Sequence, residues 1–411
     1  MRYQPINPQL FIRNRQRLAM ALPKDSYVVL SAGKLISRSR DTEYPFRVNS
    51  NFFWASGIEE PESVLILTSG GEQVLFVPVT TEFERLWSGV RLDIELAKQR
   101  SGVSDVRPFD PSTSSGQAKL RDYKRKLPVK PVEATELIRP LRMIKDPIEI
   151  DLMKRAAAIT AQGFVSAREA IKPGVMEYQL EAELSREFLA AGANCHAYDP
   201  IVASGERACT LHYIDNDQAL AASDLVLIDA GAEYANYASD VTRTWPVSGK
   251  FTSRQKSVYE AVLRVQKAAI RRLVPGVSIR DNELETGRHM TNALQDLGLL
   301  KVNNETIATI KNPQKLNANN SDRIFEKDQA YRQYFPHATS HFLGLDVHDV
   351  GDYSRPLEPG MVLTVEPGIY IREEGIGIRL EDDIMITETG NENLTQAIPI
   401  EPDEIELRLK T

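Results

Sequence analysis

The stretch LIDAGAEYANYASDVTRTW, residues 227–245, constrains the fold more than any other part of the chain. Two strand-like runs flank the turn-like residues EYAN, which predicts an antiparallel hairpin centred near Tyr234 and Ala235. That register pairs Asp229 with Asp240, and directly opposed side chains have Cβ atoms about 5 Å apart. Two carboxylates about 4 Å apart repel by roughly 4 kcal/mol at an effective dielectric near 20, so a cation is expected between them. If the turn lay one residue away, one aspartate would face solvent and the other would cap a turn.

Three histidines fall close together in PHATSHFLGLDVHDVGDY: His337, His341 and His348, in a chain with 6 histidines. The spacing of His337 and His341 is that of a zincin helix, but Ala338 stands where that motif needs a glutamate and Gly344 interrupts a helix. A single histidine is more often a satisfied core residue than a ligand. Three in one loop–strand segment favour metal or substrate contacts.

Two further acidic residues lie in MVLTVEPGIYIREEGIGIRLEDDIMITETG, a pattern of strands joined by the turn REEG. Glu366 is expected to end one strand and Glu381 to lie inside another, where an ion pair with Arg379 would be an ordinary explanation for it. Four carboxylates gathered with imidazole in one cleft require compensating cations, which two divalent metal ions supply. Oxygen-rich ligation with one imidazole favours Mn²⁺, while Co²⁺ and Zn²⁺ stay open.

The length of 411 residues indicates two domains. The first third alternates strand-like runs (SYVVLSAG, SVLILTSG, EQVLFVPV) with amphipathic stretches such as PQLFIRNRQRLAMAL, which predicts a small α/β domain. A polar, proline-containing stretch ends it, and Asp146 with Pro147 has the pattern of an N-cap and first helical residue. The expected domains are residues 1–143 and 144–411.

An internal repeat is visible in the second part. AREAIKPGVMEYQLEAEL and AIRRLVPGVSIRDNELE each read as a helix, a Pro-Gly-Val break and a second helix, about 102 positions apart. A duplicated α+β half would place two acid-bearing sheets around a pseudo-twofold axis, with a site between them. The Asn-rich segment at residues 302–328 is expected to be a surface insertion.

Composition excludes several classes of protein. A net charge of -7 is incompatible with a broad basic face for nucleic acid. No apolar run reaches membrane-spanning length, and the first residues lack the pattern of a secretion signal, so a cytoplasmic protein is expected. The two cysteines, Cys195 and Cys209, provide neither a disulfide framework nor a thiolate metal cluster.

These motifs resemble the creatinase/prolidase-like metallopeptidases with the pita-bread fold, and most closely the Xaa-Pro aminopeptidases. The strongest matches are IDAGAEYANYASDVTRT, SHFLGLDVHDVG, VEPGIY and GIGIRLEDD, and RSRDTEYPFRVNSNFFWASGIEEPES resembles the family's N-terminal module. The resemblance implies an α/β N-terminal domain followed by an α+β pita-bread catalytic domain with internal pseudo-twofold symmetry. It also implies two divalent ions, bridged by Asp240 and Glu381, on five ligands: Asp229, Asp240, His341, Glu366 and Glu381.

Other positions of the family's motifs carry over to substrate contacts and their neighbours. His337 would lie near the proline subsite, although Ala338 follows it where the family usually has glycine. The remaining matches are His212 in ASGERACTLHY and His348 as substrate-contacting residues, Tyr198 beside the bridging aspartate, and Arg379 beside the bridging glutamate.

The expected reaction is hydrolysis of a peptide with proline at the second position, which releases the residue that precedes proline. A metal-bridging hydroxide would attack the carbonyl carbon, and Glu366 would accept its proton and deliver it to the leaving nitrogen. His212 and His348 would hydrogen-bond the carbonyl oxygen. The family often forms homodimers or tetramers, and Trp87 resembles a position that can approach a neighbouring subunit's site.

Several alternatives remain open at this point. Prolidase, a strict Xaa-Pro dipeptidase, shares all five ligands. A non-catalytic peptide-binding module of the same fold would have little reason to keep them. Creatinase-like amidinohydrolases lack this metal set, and a mononuclear iron oxygenase would leave too many acids unexplained.

Overall fold

The computed structural model describes residues 2–80, 82–89, 92–127, 129–301 and 330–408. The chain forms two compact units that divide between Glu149 and Ile150. The domain boundary at residue 143 stays a prediction. The Asn-rich insertion at residues 302–328 lies outside the described residues.

The first unit is built on a five-stranded mixed sheet. Its elements, in chain order among the described residues, are α1 Gln9–Ala21, β1 Ser26–Ser31, β2 Ser37–Ser39, β3 Thr42–Glu43, α2 Ser50–Ser56, β4 Val64–Thr68, β5 Gln73–Pro78, α3 Glu82–Ser88, α4 Ile94–Ser101, β6 Val106–Phe109, α5 Ser114–Lys126, β7 Lys130–Pro131 and α6 Thr135–Met143.

The strand order of this sheet is β6-β5-β4-β1-β7. The apolar runs predicted as strands form β1, β4 and β5, which pair antiparallel, while β6 and β7 run parallel to their neighbours. Helix α1 buries Leu10, Phe11 and Leu18, which its helical spacing places on one face. These elements confirm the predicted α/β class of this part.

The second unit carries the acidic and histidine motifs. Its elements, among the described residues, are α7 Pro147–Ala170, which begins in the last residues of the first unit, α8 Glu177–Ala190, β8 Cys195–His196, β9 Ile201–Ser204, β10 Leu225–Ala230, β11 Ala232–Tyr234, β12 Tyr237–Ala238, β13 Val241–Pro246, α9 Ser253–Arg272, α10 Ile279–Asp296, β14 Val362–Val365, β15 Gly368–Ile371, β16 Ile376–Arg379, β17 Asp382–Ile386, β18 Asn391–Asn393 and α11 Pro402–Arg408.

The predicted repeat is present in the hydrogen bonding of the second unit. In the first half the α7–α8 connection donates from the Gly174 nitrogen to the Leu220 carbonyl at 2.9 Å. In the second half the α9–α10 connection donates from Gly276 to the Leu357 carbonyl, also at 2.9 Å. Both glycines have positive φ, 85° and 93°, which explains why glycine occupies the break. In each half, the break between the two helices is thus bonded in the same way to the segment that leads into β10 or β14.

Two antiparallel hairpins, one from each half, meet in the middle of the second unit. β10 pairs with β13 in one half, and β14 pairs with β17 in the other. They are joined where the Glu381 nitrogen donates to the Thr242 carbonyl at 3.0 Å. Helix α7 packs on the first hairpin through Phe164, whose ring centroid lies 5.9 Å from that of Trp245. This junction brings the acidic residues of both halves together.

Candidate metal centre and peptide cleft

The acidic hairpin forms, but its turn lies one residue further along the chain than predicted. Tyr234 pairs with Tyr237 around Ala235 and Asn236. The two central residues have φ angles of 52° and 68°, as a type I′ turn requires. Asparagine tolerates positive φ well, and it occupies the second of these positions.

The predicted pairing of Asp229 with Asp240 is therefore wrong, because Asp229 lies opposite Thr242. Moving the centre of a hairpin by one residue moves each partner by two, which keeps the same side chains on the same face. The alternative that one aspartate faces solvent also fails, since Asp229 is 8% exposed and Asp240 5% exposed. Both carboxylates lie on the side of the hairpin that faces the second half.

Tyr198 links the two aspartates. Its hydroxyl oxygen lies 2.5 Å from Oδ1 of Asp229 and 2.5 Å from Oδ1 of Asp240. The hydroxyl has one proton, so it cannot donate fully to both acceptors. Burial and the two adjacent carboxylates raise the pKa of the Tyr198 phenol well above its ordinary value. The phenol is therefore a fixed neutral donor to the acidic pair.

Glu366 and Glu381 enter the site from the second half. Glu366 directly follows β14, as predicted. Glu381 was predicted inside a strand, but it lies between β16 and β17. The reason is a change of partner: the Leu380 nitrogen donates to the Pro367 carbonyl, and the Glu381 nitrogen donates to Thr242. The chain crosses from one hairpin to the other at Glu381, and this places its carboxylate at the junction.

His341 points into this group of acids. Its Nδ1 lies 3.0 Å from the carbonyl oxygen of Phe342, which can only accept, so Nδ1 carries a proton. Its Nε2 lies 3.3 Å from Oδ2 of Asp240 and 3.6 Å from Oε1 of Glu366. Burial lowers the pKa of His341, but the hydrogen bond and charge of Asp240 outweigh it and raise the pKa to about 9.

Three of the carboxylates, those of Asp229, Glu366 and Glu381, have raised pKa values and so resist ionisation. Burial raises the pKa of Glu381 well above its ordinary value, and the neighbouring acids raise it further. Burial also raises the pKa of Asp229, although the Arg379 guanidinium opposes this. For Glu366, burial raises the pKa to about 7 despite the lowering effect of His341. Binding of a cation that lets these acids ionise is therefore energetically favourable.

The Arg379 side chain donates hydrogen bonds to three other side chains of the protein. It pairs with Oδ2 of Asp229, donates through Nη1 to the Tyr370 hydroxyl at 3.0 Å, and donates through Nε to Thr242 at 3.1 Å. Glu381 instead accepts a hydrogen bond from the Thr242 hydroxyl at 2.7 Å. Arg379 therefore pairs directly with Asp229 and not with Glu381, although its charge also lowers the pKa values of Glu366 and Glu381.

His337 is held as a neutral ring. Its Nδ1 lies 2.9 Å from the Ala338 carbonyl oxygen, so Nδ1 carries the proton and Nε2 accepts from the Tyr370 hydroxyl at 2.8 Å. Burial and the charge of Arg379 lower its pKa to about 3. Ala338 does not have positive φ, so alanine fits this loop without backbone strain.

A cavity of about 720 Å³ opens over these groups. Every site residue predicted from the sequence lines it, including the exposed residues His212 and His348. The His348 ring stacks on that of His341, with centroids 4.0 Å apart and planes at 8°. Burial and the charge of His341 lower the pKa of His348, which keeps its imidazole neutral.

Sequence reasoning missed three residues that hold the site. Thr242 and Tyr370 link Arg379 to the acids and to His337. Asp383, which is buried, accepts a hydrogen bond from the backbone nitrogen of Asp240 at 3.2 Å. Each of the three lies two or four residues from a predicted site residue. A spacing of two could have revealed Thr242 and Asp383, which lie two residues after Asp240 and Glu381, because side chains two apart in extended chain share a face. Tyr370 lies in β15, a different strand from the one that Glu366 follows, so this spacing does not point to it.

The group suits divalent cations by its chemistry. Asp240, His341 and Glu381 each offer one ligand atom, and these atoms lie within 4.8 Å of one another. Glu366 adjoins His341, and Asp229 is joined to Asp240 through Tyr198. Buried carboxylates of this number are stable in ionised form only with compensating charge, and Arg379 and His341 supply less than is needed. Oxygen donors with one imidazole fit a borderline-hard divalent ion.

Comparison with known proteins identifies the family. The family model for metallopeptidase family M24 matches residues 151–388, which is more than half of the chain. The chain belongs to metallopeptidase family M24. The model for the aminopeptidase P N-terminal domain matches residues 11–127 of this M24 hydrolase.

Relatives of this M24 protein cover nearly its whole length. The chain is 39% identical to an Xaa-Pro aminopeptidase of Escherichia coli K12, over 98% of this chain and 97% of the relative. It is 34% identical to human Xaa-Pro aminopeptidase 3, over 93% of this chain and 80% of the relative. The chain is thus similar to Xaa-Pro aminopeptidases from a bacterium and from humans.

Solved structures agree with the fold. Aminopeptidase P from E. coli in a low-pH form superposes with a TM-score of 0.86 at 38% identity, covering 99% of both chains. A zinc-substituted form in complex with product gives the same TM-score, identity and coverage. The predicted class, an α/β N-terminal domain followed by a pita-bread catalytic domain, is confirmed. Among the described residues, no helix has both the length and the apolar character needed to cross a membrane.

Proposed function

We propose that this protein is an Xaa-Pro aminopeptidase that works with two divalent cations, Mn²⁺ being the native one. The observation that carries the proposal is the convergence of acids from two hairpins around His341, at the base of a cavity lined by further histidines. Relatives along nearly the full chain are named Xaa-Pro aminopeptidases. Peptides with proline at the second position are the proposed substrates.

The proposed cation ligands are the four acids and the one histidine that meet at the junction of the hairpins. Asp240 and Glu381 come from opposite sides of the junction, and their ligand atoms lie within 4.8 Å of each other, so both would hold the cations. Two bound divalent cations would supply Lewis-acid activation of a water molecule and of the peptide carbonyl. The full proposed set is Asp229, Asp240, His341, Glu366 and Glu381.

The chain's own side chains would bind the peptide and move the proton. Glu366 is proposed to take the proton of the attacking water and to pass it to the proline nitrogen. Its side chain is 17% exposed, against 11% for Asp229 and 7% for Asp240, so it is the most accessible of these three acids. His212 and His348, which are exposed residues that line the cavity, would hydrogen-bond the carbonyl oxygen.

The proline subsite is proposed to lie against His337. The ring has both nitrogens in hydrogen bonds and stays neutral, so it offers a fixed face rather than a proton. Phe335 lies edge-on to it with centroids 4.8 Å apart, which fixes the orientation of that face. A rigid apolar face suits the ring of proline.

The charges of the cavity favour an aminopeptidase over a strict dipeptidase. A dipeptidase must recognise the free carboxylate that follows proline, which calls for an available cation. Among the described residues that line the cavity, Arg379 is the only arginine or lysine, and it is already bound to Asp229, Thr242 and Tyr370. A peptide that continues beyond proline should therefore be accepted.

A peptide series tests the proposal directly. With Mn²⁺ restored to stripped protein, a free Xaa-Pro-Xaa tripeptide should be cleaved between its first two residues, and kcat/KM should exceed that for the matching Xaa-Pro dipeptide. Glu366→Gln should bind the tripeptide without turnover. Cleavage of the dipeptide alone would establish a prolidase, and binding without cleavage by the unaltered protein would establish a peptide-binding module.

We also propose that the protein acts in the cytoplasm as a homodimer or homotetramer. The resemblance to the family, whose members often form such oligomers, supports this proposal. Light scattering on the purified chain would give the subunit number, and a monomer at micromolar concentration would refute the oligomer.

A further inference from the structure

Glu283, which does not line the cavity, is hydrogen-bonded to the loop that carries His337 and His341. Glu283 belongs to helix α10, and its Oε2 accepts a hydrogen bond from the backbone nitrogen of Thr339 at 2.8 Å. Thr339 lies midway between the two histidines in sequence. The carboxylate therefore holds the loop at its centre, while the histidine rings extend from either side.

A second link runs through Arg332. Oε1 of Glu283 accepts from Nη2 of Arg332 at 2.8 Å, and Nη1 of the same guanidinium donates to the His337 carbonyl oxygen at 2.5 Å. The guanidinium also lies over the rings of Tyr331 and Phe335, at 5.0 and 5.8 Å from their centroids. Both carboxylate oxygens of Glu283 thus hold the segment that carries the histidines, one through Thr339 and the other through Arg332.

The same device occurs in the first half of the repeat. Glu181 is the fifth residue of α8, as Glu283 is the fifth residue of α10. Glu181 accepts from Nδ2 of Asn216 at 2.8 Å, and Asn216 in turn accepts from the Val202 nitrogen at 2.9 Å. Asn216 follows His212 closely in the chain. In each half, a glutamate at the same helical position anchors a loop that brings histidine to the cavity.

We propose that Glu283 is a positioning residue that sets the placement of His341 for the cation and of His337 for the substrate. The inference rests on the proposed function, because it assigns Glu283 to the metal-binding group of that function. A side chain that orients a metal ligand typically contributes about 10-fold to 100-fold in metal affinity. Glu283 does this through the backbone of Thr339 and through Arg332, without touching the cation or the peptide.

The test compares Glu283→Gln with a matched control, Glu285→Gln. Glutamine keeps the shape, but its NH₂ group can only donate, so either Thr339 or Arg332 loses an acceptor. Glu285 lies on the same helix and pairs with Arg288 at 2.9 Å; among the described residues it makes no hydrogen bond or ion pair with the histidine loop. Chelator competition with Mn²⁺ should show at least about 10-fold weaker binding in Glu283→Gln and unchanged binding in Glu285→Gln.

Two further measurements also test the role of Glu283. Amide exchange of Thr339 in the metal-free protein should be faster in Glu283→Gln than in Glu285→Gln, whether or not the chain is an aminopeptidase. Glu283→Asp retains the charge with a shorter reach, so its Mn²⁺ affinity should lie between those of the unaltered protein and Glu283→Gln.

Equal Mn²⁺ affinity and equal Thr339 exchange in the two glutamine variants would overturn the inference. If Glu283→Gln does not fold, an aspartate variant indistinguishable from the unaltered protein overturns it. Failure of the unaltered protein to bind Mn²⁺ would instead refute the proposed function, and the exchange comparison would still report on the anchor.

Discussion

Filling the metal centre should expel protons from the protein. At pH 7 the metal-free site holds about one proton on His341, whose pKa is about 9, and about half a proton on Glu366, whose pKa is about 7. Burial raises the pKa of Glu381 well above its ordinary value, which shifts the proton count in the same direction. Ligands must be deprotonated to bind a cation, so loading both ions should release about one and a half protons from His341 and Glu366, and more with any contribution from Glu381.

The sign of the pH dependence follows from this count. Because the metal-free site binds more protons than the loaded site, raising the pH favours loading. The joint affinity for two cations should rise with pH near neutrality, by about 10-fold per pH unit for each proton released. Activity at limiting metal should therefore collapse on acidification and return when Mn²⁺ is added in excess.

Calorimetric titration of stripped protein with Mn²⁺, in buffers of different ionisation enthalpy, gives the number of protons released. Glu366→Gln removes one of the three titrating groups, so it should lower the release at pH 7 by about half a proton. Release of less than one proton by the unaltered protein would refute the electrostatic description of this site.

Two other predictions concern the hairpin. Tyr198→Phe removes the hydroxyl that lies 2.5 Å from one oxygen of each aspartate, so Mn²⁺ affinity should fall about 10-fold; unchanged affinity in chelator competition would show that the phenol does not orient them. Gly231→Ala places a Cβ 1.7 Å from the Ser239 carbonyl oxygen and should destabilise the fold by about 3 kcal/mol. Gly390→Ala, with no atom within 4 Å of the added Cβ, is its control, and equal thermal midpoints of the two variants would contradict the prediction.

Patterns of residue type predicted which side chains form the site better than they predicted how the strands are paired. The convergence of Asp229 with Asp240 followed from like charges near one turn, and the acids do meet. The predicted register was wrong because it placed Tyr234 and Ala235 at the two positions that need positive φ. The observed turn uses Ala235 and Asn236, and the tolerance of asparagine for positive φ is a local preference that favours this turn.

The contacts between the two halves of the second unit could not be predicted from the sequence. Glu381 leaves its strand because its backbone bonds to Thr242 of the other hairpin, and alternation along its own segment carries no information about that partner. Tyr370 joins Arg379 and His337 for the same reason: the three lie on different segments that only the fold brings together. Spacing within one strand can point to residues such as Thr242 and Asp383, but it cannot supply their partners.

The most direct test of the account is a crystal of the protein grown with Mn²⁺ and measured at the manganese absorption edge. Two anomalous peaks are expected at the junction of the hairpins, with Asp240 and Glu381 each contacting both ions. A single peak, or a junction in which these carboxylates contact only water and Arg379, would contradict the claim that paired cations hold the acids together.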